Sequence, residues 1–401
     1  MKVLLLTSSC TVDEEVKLLG FSKCGLQNAI IAFQRNMQLG IQEVIEGDCD
    51  VINYYPIGAY PNYCSKLFFR GFTINKNKTY YKQLWIVNIP VVKQILTALQ
   101  ARKAILKWIK TNEEEEKIII MYDLLRPYLK TISKLQTNNQ LKTCTIVADL
   151  PNEFGYNISK QTLKGILLKH LGNNSLELCK TINYYGLLTK QMRTPLAITG
   201  GNDVIIEGFS NEKRYCAELQ NTTKRIILYT GAIYSIYGLN ILVEAFLRTT
   251  SNNYELWLCG VGDYVETLKL KASLDPRIKY LGYKTQSEIG LLQAQASVLV
   301  NPRQNIGEYT KYSFPSKIIE YLSTGRPIIA YKLDGIPDEY YDYLISPLDN
   351  SIDALTKTII NTCELPFSER KRIGEAGRNF IIERTNPRKQ MFKILNLMTK
   401  K

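Results

Sequence analysis

The residues best able to do chemistry gather between Asn301 and Ala330. Arg303, Lys317 and Glu320 lie there, and Pro315 and Gly325 bracket the last two. Proline suits a first helical position and glycine a helix end. The spacing therefore predicts a helix of about two to three turns opening at Pro315, with Ser313 or Phe314 as its cap. The free amides of a helix start attract a pyrophosphate. Lys317 falls in the first turn, where it opposes the helix dipole at small cost, and an anionic ligand would reverse that sign. Glu320, one turn further on, is placed to accept hydrogen bonds from a sugar diol, although a solvent-facing helix glutamate has the same pattern. Upstream, Gly231 follows one apolar run, and Gly260 and Gly262 follow another. Glycine at a strand end lets backbone amides approach a phosphate without a side chain between. The Gly-x-Gly signal alone is weak. It lacks the third glycine of a dinucleotide fingerprint and does not open the chain, which argues against a nicotinamide enzyme.

Those positions need strands to carry them. Short apolar runs at Lys2–Thr7, Val51–Tyr55, Lys117–Tyr122, Thr143–Ala148, Tyr184–Leu188 and Asp203–Glu207 read as buried strands. Amphipathic stretches at Gly25–Leu39, closed by Gly40, at Val91–Lys110 and at Leu129–Leu135 read as helices between them. After a polar stretch near Gly208–Thr223 the alternation restarts. Strands are expected at 225–229, 255–259, 278–281, 297–301 and 327–331, and helices at 239–248, 265–271, 287–295 and 315–323. Strands alternating with helices imply parallel sheets covered on both faces, and in such sheets ligands bind beyond the carboxyl ends of the strands. By that rule Asp149, just past the strand 143–148, is a candidate for contacting a bound ligand. A loop-capping aspartate before Leu150 and Pro151 is the competing reading.

The 401 residues exceed what one core supports, so two domains are expected. The composition, 45% hydrophobic and 22% charged, is that of a globular protein. Nine scattered cysteines form no Cys-x-x-Cys pair and there is one histidine, so a zinc site is not expected and a reducing compartment fits. Asp13, Glu14 and Glu15 follow the first apolar run too closely for a signal peptide, and no stretch is long enough to span a bilayer. The net charge of +14 is uneven: Val51–Lys110 holds ten cations, no carboxylate and many aromatics. That mixture suits an anionic membrane surface, or else an ordinary solvated basic face; nucleic acid ranks below both. The stretch Lys66–Lys82 reads as a loop and as the better membrane contact. The apolar residues Ile95, Leu96, Leu99, Ile105 and Leu106 could instead cover the sheet.

Segment 225–345 resembles the C-terminal domain of GT-B glycosyltransferases of the large retaining family four. The matching pieces are Tyr-Thr-Gly-Ala (229–232), Leu-Val-Glu-Ala-Phe (242–246), Leu-Cys-Gly-Val-Gly (258–262), Tyr-Leu-Gly-Tyr (280–283), Val-Asn-Pro-Arg (300–303), Phe-Pro-Ser-Lys through Ile-Ile-Ala (314–330) and Asp-Gly-Ile-Pro-Asp-Glu (334–339). The N-terminal half matches loosely. The resemblance implies an α/β fold of GT-B type, with two Rossmann-like doubly wound domains facing an interdomain cleft. The expected organisation is an acceptor domain over 1–208, a nucleotide-sugar domain over 209–382, and a terminal helix over 383–401 crossing back to the first domain. It also implies donor contacts from Gly231, Gly260, Gly262, Tyr283, Arg303, Ser316, Lys317 and Glu320, the last on the donor ribose. Catalytic roles fall to Lys317 and Asp149. Three departures accompany the match. Tyr312 stands where the first glutamate of the family's paired motif belongs. Ala232 and Tyr237 replace the arginine and lysine that hold the pyrophosphate. Ala148 stands where the N-domain histidine aligns, and His170 lies elsewhere in a helical stretch. A buried diphosphate without cations is costly, so Lys317 and Arg303 are expected to substitute.

The function expected is transfer of a sugar from a nucleoside diphosphate donor to a hydroxyl acceptor, with retention and without a metal or other cofactor. The expected acceptor is a lipid-linked glycan of surface polysaccharide synthesis. The expected location is cytoplasmic, peripheral at the inner face of the plasma membrane. A GT-B sugar-nucleotide epimerase is one alternative, although it would need cleft carboxylates or histidines. A non-catalytic relative binding a partner or glycan is the other, favoured by the lost motif residues.

Overall fold

Val3 to Leu6 are four consecutive apolar residues between polar neighbours. In the computed structural model they form the buried centre of β1 (Lys2–Thr7). Residues 1–76, 79–135, 141–151, 174–210 and 219–400 are described. They divide into two units. The first contains Met1–Phe209, Lys311–Ser313 and Pro387–Lys401, and the second Ser210–Thr310 and Phe314–Asn386.

In the first unit, β1 is followed by α1 (Val12–Leu19), α2 (Asn28–Ile45), β2 (Asp50–Asn53), β3 (Phe68–Phe69), β4 (Phe72–Lys76), β5 (Thr79–Gln83) and β6 (Ile86–Val87). Next come α3 (Pro90–Thr111), β7 (Lys117–Tyr122), α4 (Arg126–Ile132), β8 (Leu141–Val147), a helical segment over 174–179 (α5), β9 (Tyr184–Leu187) and β10 (Asp203–Ile205). Eight strands form one sheet in the order β10-β9-β8-β7-β1-β2-β5-β4. All neighbours are parallel except β4, which closes against β5 as an antiparallel edge. The order in which strands are added reverses around β1, with β2 on one side and β7 on the other. The loops after β1 and β7 thus flank the crevice where such sheets bind ligands.

Two expectations fail here for physical reasons. The stretch Lys66–Lys82 is not a loop: it carries β3 and the β4–β5 hairpin. The hairpin register pairs Phe72 with Gln83 and Ile74 with Tyr81, so aromatics and β-branched residues meet across strands. The side chain of Lys76 and residues 77–78, with Lys78, lie outside the described residues. The apolar set on α3 also does not simply cover the sheet. Thr97, Ala101, Ala104, Ile105 and Trp108 are the buried face. Ile95, Leu99 and Leu106 are 55%, 59% and 42% exposed.

The second unit repeats the alternation with β11 (Arg225–Thr230), α6 (Leu239–Leu247), β12 (Tyr254–Cys259), α7 (Val265–Leu274), β13 (Ile278–Tyr280), α8 (Gln286–Gln295) and β14 (Val298–Asn301). It continues with α9 (Ser316–Leu322), β15 (Ile328–Ala330), α10 (Ile352–Glu364) and α11 (Phe367–Thr385). The five strands are all parallel in the order β13-β12-β11-β14-β15. Ile227, Leu242, Phe246, Leu256, Val298 and Ile329 are part of its core. The order of addition reverses around β11, between β12 and β14. The loops carrying Gly231 and Arg303 therefore border the crevice.

The last helix, α12 (Pro387–Thr399), belongs to the first unit and packs on α2. This contact explains Gly40. The glycine does not end α2, which runs on to Ile45. A Cβ at Gly40 would lie 2.3 Å from the Pro387 carbonyl oxygen, so the residue is small because another backbone passes against it. A helix interior tolerates glycine at a modest cost when close approach requires it.

Candidate active site

In the second unit, Gly231, Gly260 and Gly262 all sit where space is short, and two of their amides bond within the protein. The Gly231 amide donates to the Cys259 carbonyl at 2.8 Å, and the Gly260 amide donates to Gly282 at 2.9 Å. Both are already committed to the protein. The constraint on these positions is space. Gly231 and Gly260 have φ of +135° and +146°. A Cβ at Gly260 would lie 1.7 Å from the Gly231 oxygen, and one at Gly262 would lie 2.1 Å from the Ile233 oxygen. A Cβ at Gly231 would lie 2.2 Å from Cε of Lys317. The loop after β11 is therefore bare so that the Lys317 side chain can lie across it. Tyr283 sits half-buried beside Gly282, whose carbonyl takes the Gly260 amide.

Lys317 and Arg303 converge on the same aromatic group. The Lys317 ammonium is 5.0 Å from the ring centroid of Tyr229 and 5.7 Å from that of Tyr237. The Arg303 guanidinium is 5.7 Å from Tyr237 and 4.6 Å from Tyr309. Tyr229 is fixed in turn, its hydroxyl donating to the Ala232 carbonyl at 2.7 Å. An aromatic face attracts a cation through the quadrupole of its ring. Tyr237 stands where the resemblance places a lysine, and it packs against both remaining cations. The two cations nearest to Tyr237 come from α9 and from the loop after β14. Arg303 is 6% exposed.

Burial pushes the Lys317 ammonium down to about 8 from its ordinary 10.5; nearby Glu320 raises it and Arg303 lowers it further. The sign follows from proton binding. Between about pH 8 and 10.5 the folded protein holds fewer protons at this site than the unfolded chain. The folded state therefore bears the full cost of the buried charge below pH 8. It loses that cost as pH rises toward the unfolded value. A bound diphosphate would restore the charged form.

The helix itself starts one residue later than expected. Pro315 is the N-cap, not the first helical residue, and α9 begins at the exposed Ser316 with no side-chain cap. It runs seven residues, after which Gly325 adopts φ +69°. Glu320 points to a prepared setting. Its Oε1 accepts a 2.7 Å bond from Nε2 of Gln293, a residue 1% exposed that also reaches Thr230 Oγ1 at 3.3 Å. The Thr230 amide donates to the Tyr321 hydroxyl at 2.9 Å. Gln293 was not singled out from sequence; an isolated glutamine on α8 gives no signal of what it faces. Gly231, Arg303, Lys317 and Glu320 are thus neighbours at the carboxyl end of one sheet.

In the first unit, Asp149 is exposed just beyond β8. Asp123, just beyond β7, was missed, although the strand-end rule that selected Asp149 applies to it equally. Asp123 has φ +52°. The Ala148 and Asp149 amides approach its Oδ1 at 3.4 and 3.5 Å. Burial and the charge of Asp149 push the Asp123 carboxyl up to about 7. The two carboxylates stand at the ends of adjacent strands. His170 lies outside the described residues.

Residues 224–364 match the family model described as Glycosyl transferases group 1. A 117-residue stretch is 25% identical to the amylovoran biosynthesis glycosyltransferase AmsK of Erwinia amylovora, covering 28% of this chain and 29% of that relative. The chain thus spans under a third of that relative's length. Among solved structures, sucrose-phosphate synthase of Thermosynechococcus elongatus superposes with a TM-score of 0.68 at 15% identity, over 99% of this chain and 98% of that one. An E. coli trehalose-6-phosphate structure bound with UDP-2-fluoro glucose superposes with a TM-score of 0.67 at 10% identity, over 100% of both. The fold is GT-B.

Proposed function

We propose that the protein is a glycosyltransferase that moves a sugar from a nucleoside diphosphate donor to a hydroxyl acceptor, with the donor held by the second unit. The convergence of Arg303 and Lys317 on Tyr237 is the observation that carries this reading. Two cations beside an aromatic wall suit a diphosphate, and Glu320, oriented by Gln293, suits the ribose diol. Stabilising the departing diphosphate is the largest electrostatic contribution such a site can make. With two cations present, the reaction is read as independent of a metal ion.

The transfer is read as retaining. The acceptor oxygen bonds to the anomeric carbon on the face from which the diphosphate leaves. As the carbon–oxygen bond to the diphosphate breaks, the hydroxyl proton passes to the departing phosphate oxygen. Asp149, with Asp123 behind it, is the candidate for contact with the donor sugar or acceptor hydroxyl. Release of nucleoside diphosphate from a panel of nucleotide sugars, in the presence of a chelator, tests the reading. A non-catalytic binder releases none. An epimerase changes the donor sugar and releases none.

The acceptor is proposed to be a lipid-linked glycan of polysaccharide synthesis, presented at the cytoplasmic membrane face; the amylovoran enzyme's name supports the polysaccharide context. No helix among the described residues is long and apolar enough to cross a membrane. A peripheral contact is supported by α3. At 3.6 residues per turn, Val91, Ile95, Leu99, Arg102, Lys103, Leu106 and Lys110 share the face opposite Ala101, Ala104 and Trp108. All seven are exposed, so the outer face is apolar with a basic end. Near an anionic leaflet each such cation contributes about 1 kcal/mol. The protein is expected to sediment with anionic liposomes at low salt and to be released as salt rises. Arg102→Glu with Lys103→Glu and Lys110→Glu should abolish sedimentation. Equal sedimentation with neutral liposomes, or with none, would leave α3 as a solvated face.

A further inference from the structure

A second basic site lies in the first unit, and nothing above assigns it. A pocket opens at the carboxyl ends of β1 and β2, lined by Lys17 of α1, Phe21 after it, Tyr55 after β2, and Lys66, Phe69 and Arg70 around β3. Its floor is aromatic. Phe21 and Phe69 meet edge to face with centroids 6.0 Å apart, and Tyr55 meets Phe69 at 6.0 Å. Its walls are tied together. The Ser65 amide donates to the Phe21 carbonyl at 2.9 Å, and the Lys23 amide donates to Tyr63 at 3.0 Å.

The charge in this pocket is unbalanced. Glu14 is the one carboxylate lining it. Both of its oxygens are engaged: Oε1 accepts from the Tyr55 hydroxyl at 2.7 Å, and Oε2 from the Thr11 amide at 2.9 Å in the capping box of α1. Lys17 and Arg70 have no ion pair among the described residues. The Lys66 ammonium sits 4.4 Å from the Phe21 centroid and 5.4 Å from that of Phe69. Three cations around an aromatic floor, with one tied carboxylate, make a site for an anion that also carries an apolar face.

We propose that this pocket binds the phosphate-bearing end of the acceptor, with phosphate on Lys17, Lys66 and Arg70 and the attached apolar carbons on Phe21 and Phe69. This rests on the transferase reading, and it adds the anionic class of the acceptor and the place of its anchor. An isoprenoid diphosphate and a soluble sugar phosphate share this chemistry, and the test separates them.

The probes are geranyl diphosphate, glucose 1-phosphate, inorganic diphosphate and geraniol, titrated calorimetrically into the full chain. Geranyl diphosphate should bind at least about tenfold more tightly than geraniol or inorganic diphosphate, because only it fills both halves of the site. Glucose 1-phosphate binding as tightly would support the same anion site and name a soluble source. The triple variant Lys17→Gln, Lys66→Gln, Arg70→Gln should weaken geranyl diphosphate about tenfold or more while keeping the wild-type melting midpoint. Lys317→Ala should leave that binding in place. Binding lost in Lys317→Ala and kept in the triple variant would overturn the proposal, because the probe would then be reporting the donor site. So would equal affinity for geraniol. Nucleoside diphosphate release by the wild type is scored separately. Release without geranyl diphosphate binding sinks the pocket alone, and binding without release sinks the transferase reading alone.

Discussion

Replacing Arg303 or Lys317 by alanine lowers nucleotide-sugar turnover by about 10- to 150-fold each, the range for a lost hydrogen bond to a charged group. Both side chains reach the rings around Tyr237, so their effects should not add. Ala232→Arg, which restores the arginine implied by the resemblance, should raise turnover far less than either loss lowers it. Ala232 already serves Tyr229, through the carbonyl that takes the tyrosine hydroxyl. Full activity in both alanine variants would mean that the diphosphate is held elsewhere.

Glu320→Ala should weaken donor binding by about 1.5–3 kcal/mol. The ribose diol loses its acceptor. The Gln293 amide, held to Glu320 at 2.7 Å, loses its partner with or without donor, so that loss falls on stability and not on donor affinity. Glu320→Gln keeps the shape and loses the charge, so it should fall between wild type and alanine. Unchanged donor affinity in Glu320→Ala, with an unchanged melting midpoint, would remove the ribose assignment.

Strands and most helices could be read from the sequence because apolar runs and helical spacing report burial directly. What the period could not report was which neighbour a face meets. On α3 the apolar residues divide between two faces: Ile105 goes inward, and Ile95, Leu99 and Leu106 go outward. Gly40 looked like a helix end because glycine usually is one; only the passing Pro387 backbone shows otherwise. The glycines after β11 and β12 look in the sequence like free amides for a phosphate; in the structure the Gly231 and Gly260 amides bond within the protein, and the missing side chains of Gly231 and Gly262 leave room for Lys317 and for the Ile233 backbone.

In the site, Lys317, Arg303 and Glu320 stood out because charge near a glycine- and proline-bounded helix is chemically conspicuous. Tyr237 registered only as a lost lysine. Its packing against two cations depends on a loop and a helix that are far apart in the chain. Gln293 was silent for the same reason, since a glutamine gains meaning from the carboxylate beside it, whereas Asp123 carried the same strand-end signal as Asp149.

The central claim is that the Lys317 ammonium meets the donor diphosphate. Proton-linked calorimetry tests it most directly. Burial holds that ammonium near 8, and an opposing diphosphate should raise it again. Titrating the nucleotide sugar into the protein at pH 7 and at pH 8.5, in two buffers of different ionisation heat, counts the protons exchanged. Little uptake is expected at pH 7, where Lys317 is already charged, and uptake of up to about three-quarters of a proton per site at pH 8.5. That uptake should vanish in Lys317→Ala. Binding with no uptake at pH 8.5, or with the same uptake in Lys317→Ala, would contradict it.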